Sequence, residues 1–215
     1  MFAKYIIMIT TGNKVLNEKI GGYGKEITLI YGSAASGKTT LSLIAASGQL
    51  KQDKKVVFLD TENGFSIDRF MQICGHGYIT MLDRLLVLKA KNFNEQCEKF
   101  EQLMKIVNID LVIIDSLGVH YRKEVKENHR EINKKMDRQL KILTEISRDG
   151  VPVIITNQVS TNPANGQIKM VGGEMVKKWA KKLIELKKEP NRLILQKPEE
   201  KEIKFEFVNE GIKIV

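Results

Sequence analysis

The 215-residue sequence predicts an α/β fold: a mostly parallel central sheet flanked by helices, with antiparallel strands near the C-terminus extending that sheet. Three observations predict it. Short, continuous apolar runs alternate with helical patterns through most of the chain, and continuous runs are the mark of strands buried on both faces. Beyond Gly173 the helical patterns give way to a series of short β-rich runs. Between the first apolar run and the first of these helices stands a turn of small residues, GSAASGKT (residues 32–39).

The elements follow in order. EITLIYG (26–32) reads as the first strand and TTLSLIAASGQL (39–50) as a helix rich in small residues. KVVFLD (55–60) is a second strand. NEQCEKFEQLMKIV (94–107) has helical spacing that puts Cys97, Phe100, Leu103, Met104 and Val107 on one face. DLVIID (110–115) is a third strand. From about Glu127 to Arg148 a charged helix carries Ile132, Met136, Leu140, Leu143 and Ile146 on one stripe, and VPVIITNQ (151–158) is a fourth strand. KKLIELKK, NRLILQK, KEIKFEFV and GIKIV then read as antiparallel strands joined by turns. VSTNPANGQIKMVGG (159–173) reads as a long polar loop, a feature often tied to function.

Composition narrows the class. The length fits one domain with a sizeable core, and no repeat or second domain is evident. No apolar run reaches the roughly 20 residues of a membrane span, and YIIMI (5–9) is too short for an export signal, so a cytoplasmic protein is expected. Cys74 and Cys97 lack metal-like spacing and read as reduced thiols; the three histidines are scattered. The net charge of +9 suits a polyanionic partner, nucleic acid first. Lys- and Glu-rich surfaces of heat-adapted proteins offer an alternative source of such charge.

GSAASGKT fits G-x-x-x-x-G-K-[ST] between a strand and a helix, the context that gives this pattern its meaning. Gly32 and Gly37 permit the tight turn. The backbone N–H groups from Ser33 through Ala34, Ala35 and Ser36, with the helix N-terminus, face an anion. Lys38 adds a charge for β- and γ-phosphates, Thr39 an oxygen for Mg²⁺, and Thr40 a contact to the α-phosphate. Asp115 ends a buried strand, where a carboxylate can orient water on Mg²⁺. Just past the second strand, Glu62 is a candidate general base, with Asp60 as the competing carboxylate. Asn157 and Gln158 end the fourth strand, where a neutral amide can sense a γ-phosphate and pass its loss to the loop beyond.

These elements together resemble the RecA-type recombinase ATPase core. TTGNKVLNEKIGGYGKEITLIYG (10–32) resembles the entry segment of that family; GSAASGKTTL, FLDTENGFSIDRF, LVIIDSLGVHYR and PVIITNQV follow in family order, and Gly172–Gly173 close the long loop. The resemblance implies a single core over residues 1–215 without the N-terminal helix-hairpin-helix domain, with residues 1–7 ahead of the match and Met1 or Met8 as the start. It implies ATP and Mg²⁺ as cofactors, Glu62 as catalytic carboxylate, Gln158 as γ-phosphate sensor and Arg69 stacked on adenine. It implies DNA-facing loops at 116–124 and 159–173, with Arg122, Lys123 and Lys169 as phosphate contacts. The run MVKKWAKK (175–182) adds Lys177, Lys178, Lys181 and Lys182, paired on helix faces by their spacing. Trp179 is open to base stacking or to packing. Partners implied are DNA, in single or double strands, and a full-length recombinase. The F-x-x-A tether of full recombinases is not present in that form, since Tyr5 stands three places after Phe2, which argues against filaments built through it.

Function is therefore expected to be ATP-dependent DNA binding in homologous recombination and repair, with weak hydrolysis. A hexameric motor or signalling ATPase is the alternative; it needs a finger such as Lys187 or Lys188 reaching a neighbour's nucleotide. A small-molecule phosphotransferase needs an arginine-rich lid that the sequence does not show.

Overall fold

The computed structural model describes residues 8–126, 128–161 and 168–215. In chain order the elements are α1 (Lys14–Ile20), β1 (Ile27–Gly32), α2 (Lys38–Leu50), β2 (Val56–Asp60), α3 (Ile67–Cys74), α4 (Tyr78–Leu82), β3 (Leu85–Lys89) and α5 (Phe93–Leu103). Then come β4 (Leu111–Asp115), α6 (Gly118–Glu124), α7 (His129–Arg148), β5 (Val153–Thr161), β6 (Ile168–Met170), α8 (Gly173–Trp179), β7 (Lys182–Lys187), β8 (Arg192–Lys197), β9 (Lys201–Val208) and β10 (Gly211–Ile214). One sheet runs in the order β10-β9-β8-β7-β1-β5-β4-β2-β3, and β6 pairs off that path with the end of β5. The α/β class and the mostly parallel sheet are as the sequence implies.

Alternate residues of the central strands feed opposite cores, which is why these strands read as unbroken apolar runs. On one face Ile30, Val56, Phe58 and Ile113 pack with α2, α3 and the C-terminal strands. On the other, Leu29, Val57, Leu59 and Ile114 pack with α5, α7 and α8. The stripe predicted for the charged helix is real: Ile132, Met136, Leu140 and Leu143 are buried there. That helix starts at His129, because the Asn128 side chain accepts from Glu131 N at 3.3 Å and caps it; Glu127 lies outside the described residues.

Several boundaries differ from expectation. Helix α5 stops at Leu103, so Met104 and Val107 leave the predicted face and stand 47% and 74% exposed. Strand β3 escaped the sequence reading; it is the parallel edge next to β2, only half-buried, so its apolar signal is weak. The first of the C-terminal strands, β7, is parallel to β1, and only β8, β9 and β10 are antiparallel. The expected loop at 159–173 is in part a hairpin, with Val159 opposite Met170 and Thr161 opposite Ile168; residues 162–167 lie outside the described residues. The expected loop at 116–124 is mostly the helix α6.

The largest revision concerns MVKKWAKK. Helix α8 ends at Trp179, and Ala180 turns into extended backbone that becomes β7. The helical spacing that would group Lys178 with Lys182, and Lys177 with Lys181, therefore has no helix to act on. Lys182 is 2% exposed and donates to the carbonyls of Ile20, at 3.0 Å, and Gly22, tying β7 to the end of α1. It cannot join a DNA-facing basic surface. Burial lowers its pKa, partly offset by Glu26. Replacing Lys182 by Met should cost about 2–4 kcal/mol, since two buried carbonyls lose a charged donor. Equilibrium denaturation measures this loss.

Candidate functional site

The carboxyl ends of β1, β2, β4 and β5 meet in register. Gly32 stands opposite Gln158, and Asp60 opposite Asp115. In open α/β sheets this edge is where ligands bind. The turn after β1 follows the path its glycines allow. A Cβ on Gly32 would sit 2.4 Å from the Leu186 carbonyl, so β7 can pass only because that side chain is missing. Gly37 has φ of 99°, in the left-handed region, and caps α2. Ser33, Ala34 and Ala35 are exposed at the mouth of the turn, whereas Ser36 is buried and its hydroxyl has no hydrogen-bond partner among the described residues.

Lys38 is buried and donates to the carbonyls of Gly32 at 3.1 Å and Ser33 at 2.7 Å. An ammonium has three protons, so one remains for an anion in the cradle. Burial lowers its pKa; Glu62 and Asp115 act against that, and Lys188 reinforces it. Lys188 is exposed just past β7 and close enough for its charge to be felt by Lys38. The Thr39 hydroxyl donates to Asp115 at 2.7 Å, and Thr156 donates to the other carboxylate oxygen. Burial raises the pKa of Asp115, while these two hydroxyls oppose the rise.

Asp60 and Glu62 differ in their contacts. Asp60 is 1% exposed and accepts from three backbone N–H groups, Glu62 at 3.2 Å, Gly64 at 3.0 Å and Phe65 at 3.1 Å. It shapes the turn after β2 and has no face toward solvent. Glu62 is exposed and bridges two strand ends: Ser116 donates to one of its oxygens and Gln158 Nε2 to the other, at 2.7 Å. Of the two amides, Asn157 is structural. It is buried, donates to the Val171 carbonyl at 2.6 Å and accepts from Gln158 N at 3.0 Å, closing the base of the β5–β6 hairpin.

Chain-wide similarity agrees with this geometry. A sequence model of the Rad51 family matches residues 3–214. The chain belongs to the Rad51 family. It is 33% identical, over 96% of its length and 98% of the relative's, to the DNA repair and recombination protein RadB of Methanoculleus marisnigri. It is 32% identical to the RadB of Methanococcus maripaludis strain C7, over 89% of this chain and 93% of that one. A crystal structure of the RadB recombinase superposes with a TM-score of 0.82 at 32% identity, covering 97% of this chain and all of that one.

The remaining expected residues fall in different places. Arg122 and Lys123 are exposed at the end of α6. Lys169 stands on β6 opposite Ser160, and its side chain lies outside the described residues. Lys177 lies 5.9 Å over the Tyr31 ring, and Lys178 and Lys181 are exposed. Arg69 is anchored: its guanidinium donates to the carbonyls of Val208, the last residue of β9, at 3.2 Å and of Asn209, in the turn that follows, at 3.0 Å. That bond exposes a residue the sequence reading missed. Phe207, just ahead of that turn, rests its ring against Gly37, where a Cβ would come within 2.8 Å, yet the side chain is 42% exposed. Only an aromatic in the C-terminal run KEIKFEFV marked it in the sequence, and its partner is 170 residues away in the chain, from Gly37 to Phe207. Gly37→Ala should lower stability by about 1–2 kcal/mol through its left-handed backbone alone. It should also push the Phe207 ring away, readable as a changed chemical shift of that ring.

Proposed function

We propose that this chain binds Mg²⁺–ATP at the carboxyl edge of its sheet and uses the nucleotide's state to control its grip on DNA in homologous recombination and repair. The observation that carries this is the bridge of Glu62 between Ser116 and Gln158. It joins a carboxylate at the mouth of the phosphate turn to the strand end from which the β5–β6 hairpin departs. Membership in the Rad51 family and the RadB relatives support the recombination setting.

The residues fit the group. Gly32 and Gly37 leave the cradle open to close approach, Lys38 keeps a free proton, and the Thr39–Asp115 pair offers two oxygens side by side. Among the described residues no three His, Cys, Asp or Glu side chains cluster as a metal cage. Mg²⁺ held largely by phosphates and water needs only one or two protein oxygens. When bound, the ion would draw charge from the β- and γ-phosphate oxygens. Lys38 would hold those phosphates by charge, and Thr39 with Asp115 would place the ion, Asp115 through water. Glu62 would take a proton from the attacking water. For this it must release Gln158, whose amide would then turn to the γ-phosphate. The exchange of one partner for the other is how nucleotide state would reach the hairpin and the basic residues Arg122, Lys123 and Lys169. With Glu62 held by two donors at rest, hydrolysis would be slow. Thr40, on the first turn of α2, would contact the α-phosphate, and Phe207 with Arg69 would flank the adenine.

RadA, the full-length recombinase, is proposed as a protein partner, together with DNA in single- or double-stranded form. Among the described residues no helix is long and apolar enough to cross a membrane.

Lys38→Ala should abolish tight Mg²⁺–ATP binding in calorimetry; unchanged affinity would remove the phosphate-loop assignment. Glu62→Gln should keep ATP affinity within a few-fold and reduce phosphate release by about 100-fold or more, in line with loss of a general base. Phe207→Ala should weaken ATP binding about 5- to 10-fold through loss of about 1 kcal/mol of stacking. Affinity for inorganic tripolyphosphate, which has no base to stack, should be unaltered.

A further inference from the structure

Lys178 and Lys181 end up together for a reason that helical spacing does not supply. With Lys25, Arg148 and Trp179 they line a cavity of about 340 Å³. Its parts come from three separate places in the chain. Lys25 precedes β1, Arg148 closes α7, and the rest belong to the junction of α8 with β7. The Lys181 N–H donates to the Ile27 carbonyl at 3.0 Å, which brings the junction against the start of β1. All four cations are exposed, and none has an ion-pair partner among the described residues. Glu26 is the one carboxylate in the lining. Four like charges facing one cavity repel one another, and a polyanion relieves that repulsion.

We propose that this groove is a nucleic-acid site, taking the phosphates and an unstacked base of a single strand. The inference rests on the reading that the chain binds DNA, and it adds a place that the motifs do not indicate. Trp179 decides for a single strand. It is half-buried, packed against the core beneath α7, and contributes an aromatic wall on which a base of any sequence can stack. A duplex keeps its bases stacked inside and would meet the groove with phosphates alone. The position matters as well. The phosphate turn follows the end of β1, whereas the groove lies at its start, and a six-residue strand spans about 20 Å. Contacts in the groove are thus separated from the nucleotide by the length of the central strand, so binding there should not depend on ATP.

Trp179 is the only tryptophan in the chain, so its emission reports on this groove directly. The full chain is titrated with oligo-dT across a salt series, without nucleotide and with Mg²⁺–ATP, following both indole fluorescence and the anisotropy of a labelled oligonucleotide. The expected result is indole quenching of equal amplitude with and without nucleotide, and little quenching by heparin, which carries charge and no bases. In the double variant Lys25→Gln with Arg148→Gln, the log–log salt slope should fall by about 1.4, at about 0.7 per phosphate contact. Oligo-dT binding seen by anisotropy with indole emission and salt slope both unchanged would overturn the groove and leave the DNA-binding reading standing. Heparin quenching equal to that of oligo-dT would overturn base stacking there. No binding of oligo-dT or duplex DNA to the wild-type chain under any nucleotide condition would overturn the DNA-binding reading, and the groove with it.

Discussion

Strand β1 is hydrogen-bonded on both sides, to β5 and β7, and buried on both faces. Its last residue, Gly32, passes so close to the Leu186 carbonyl that no side chain fits between them. Because the three strands run parallel and in this register, the glycine-containing turn after β1, the amides at the end of β5 and the exit of β7 reach the same edge. The register of β2 with β4 adds Asp60 and Asp115. A slip of one residue would turn each of these side chains to the other face of the sheet. The close contact at Gly32 is thus a condition for the site as well as for the sheet.

Around that edge, polar groups are sorted by what they are bonded to. Asp60 and Asn157 are spent on backbone and hold the turns in shape. Lys38, Asp115 and Glu62 keep capacity in reserve. Lys38 has a proton to give. Asp115 is shared between two hydroxyls, and Glu62 is held by Ser116 and Gln158, which are at the ends of different strands. The lowered pKa of Lys38 and the raised pKa of Asp115 both arise from burial, and each therefore marks a group that an opposite charge would stabilise.

The basic residues show a similar sorting. Within eight consecutive positions, Lys182 is a buried structural donor, Lys177 lies over Tyr31, and Lys178 and Lys181 face a groove completed by residues from two other parts of the chain. The net charge of +9 is a bulk property and does not distinguish these roles. Burial and the end of a short helix do.

The sequence alone determined what depends on neighbours in the chain. Continuous apolar runs located β1, β2, β4 and β5, because a strand buried on both faces has no polar positions to break the run. The turn between β1 and α2, the place of Asp115 at the end of β4 and the order of these elements were legible for the same reason: spacing within one turn or one strand is local. Tertiary structure decided what depends on distant partners. It separated Asp60 from Glu62 by their backbone and cross-strand bonds. It ended α8 at Trp179, because Ala180 is drawn into extended backbone leading to the pairing of β7 with β1. It set Phe207 against Gly37, and gathered Lys25, Arg148, Lys178 and Lys181 around Trp179. No window of sequence contains those encounters, since each is created by the packing of elements far apart along the chain.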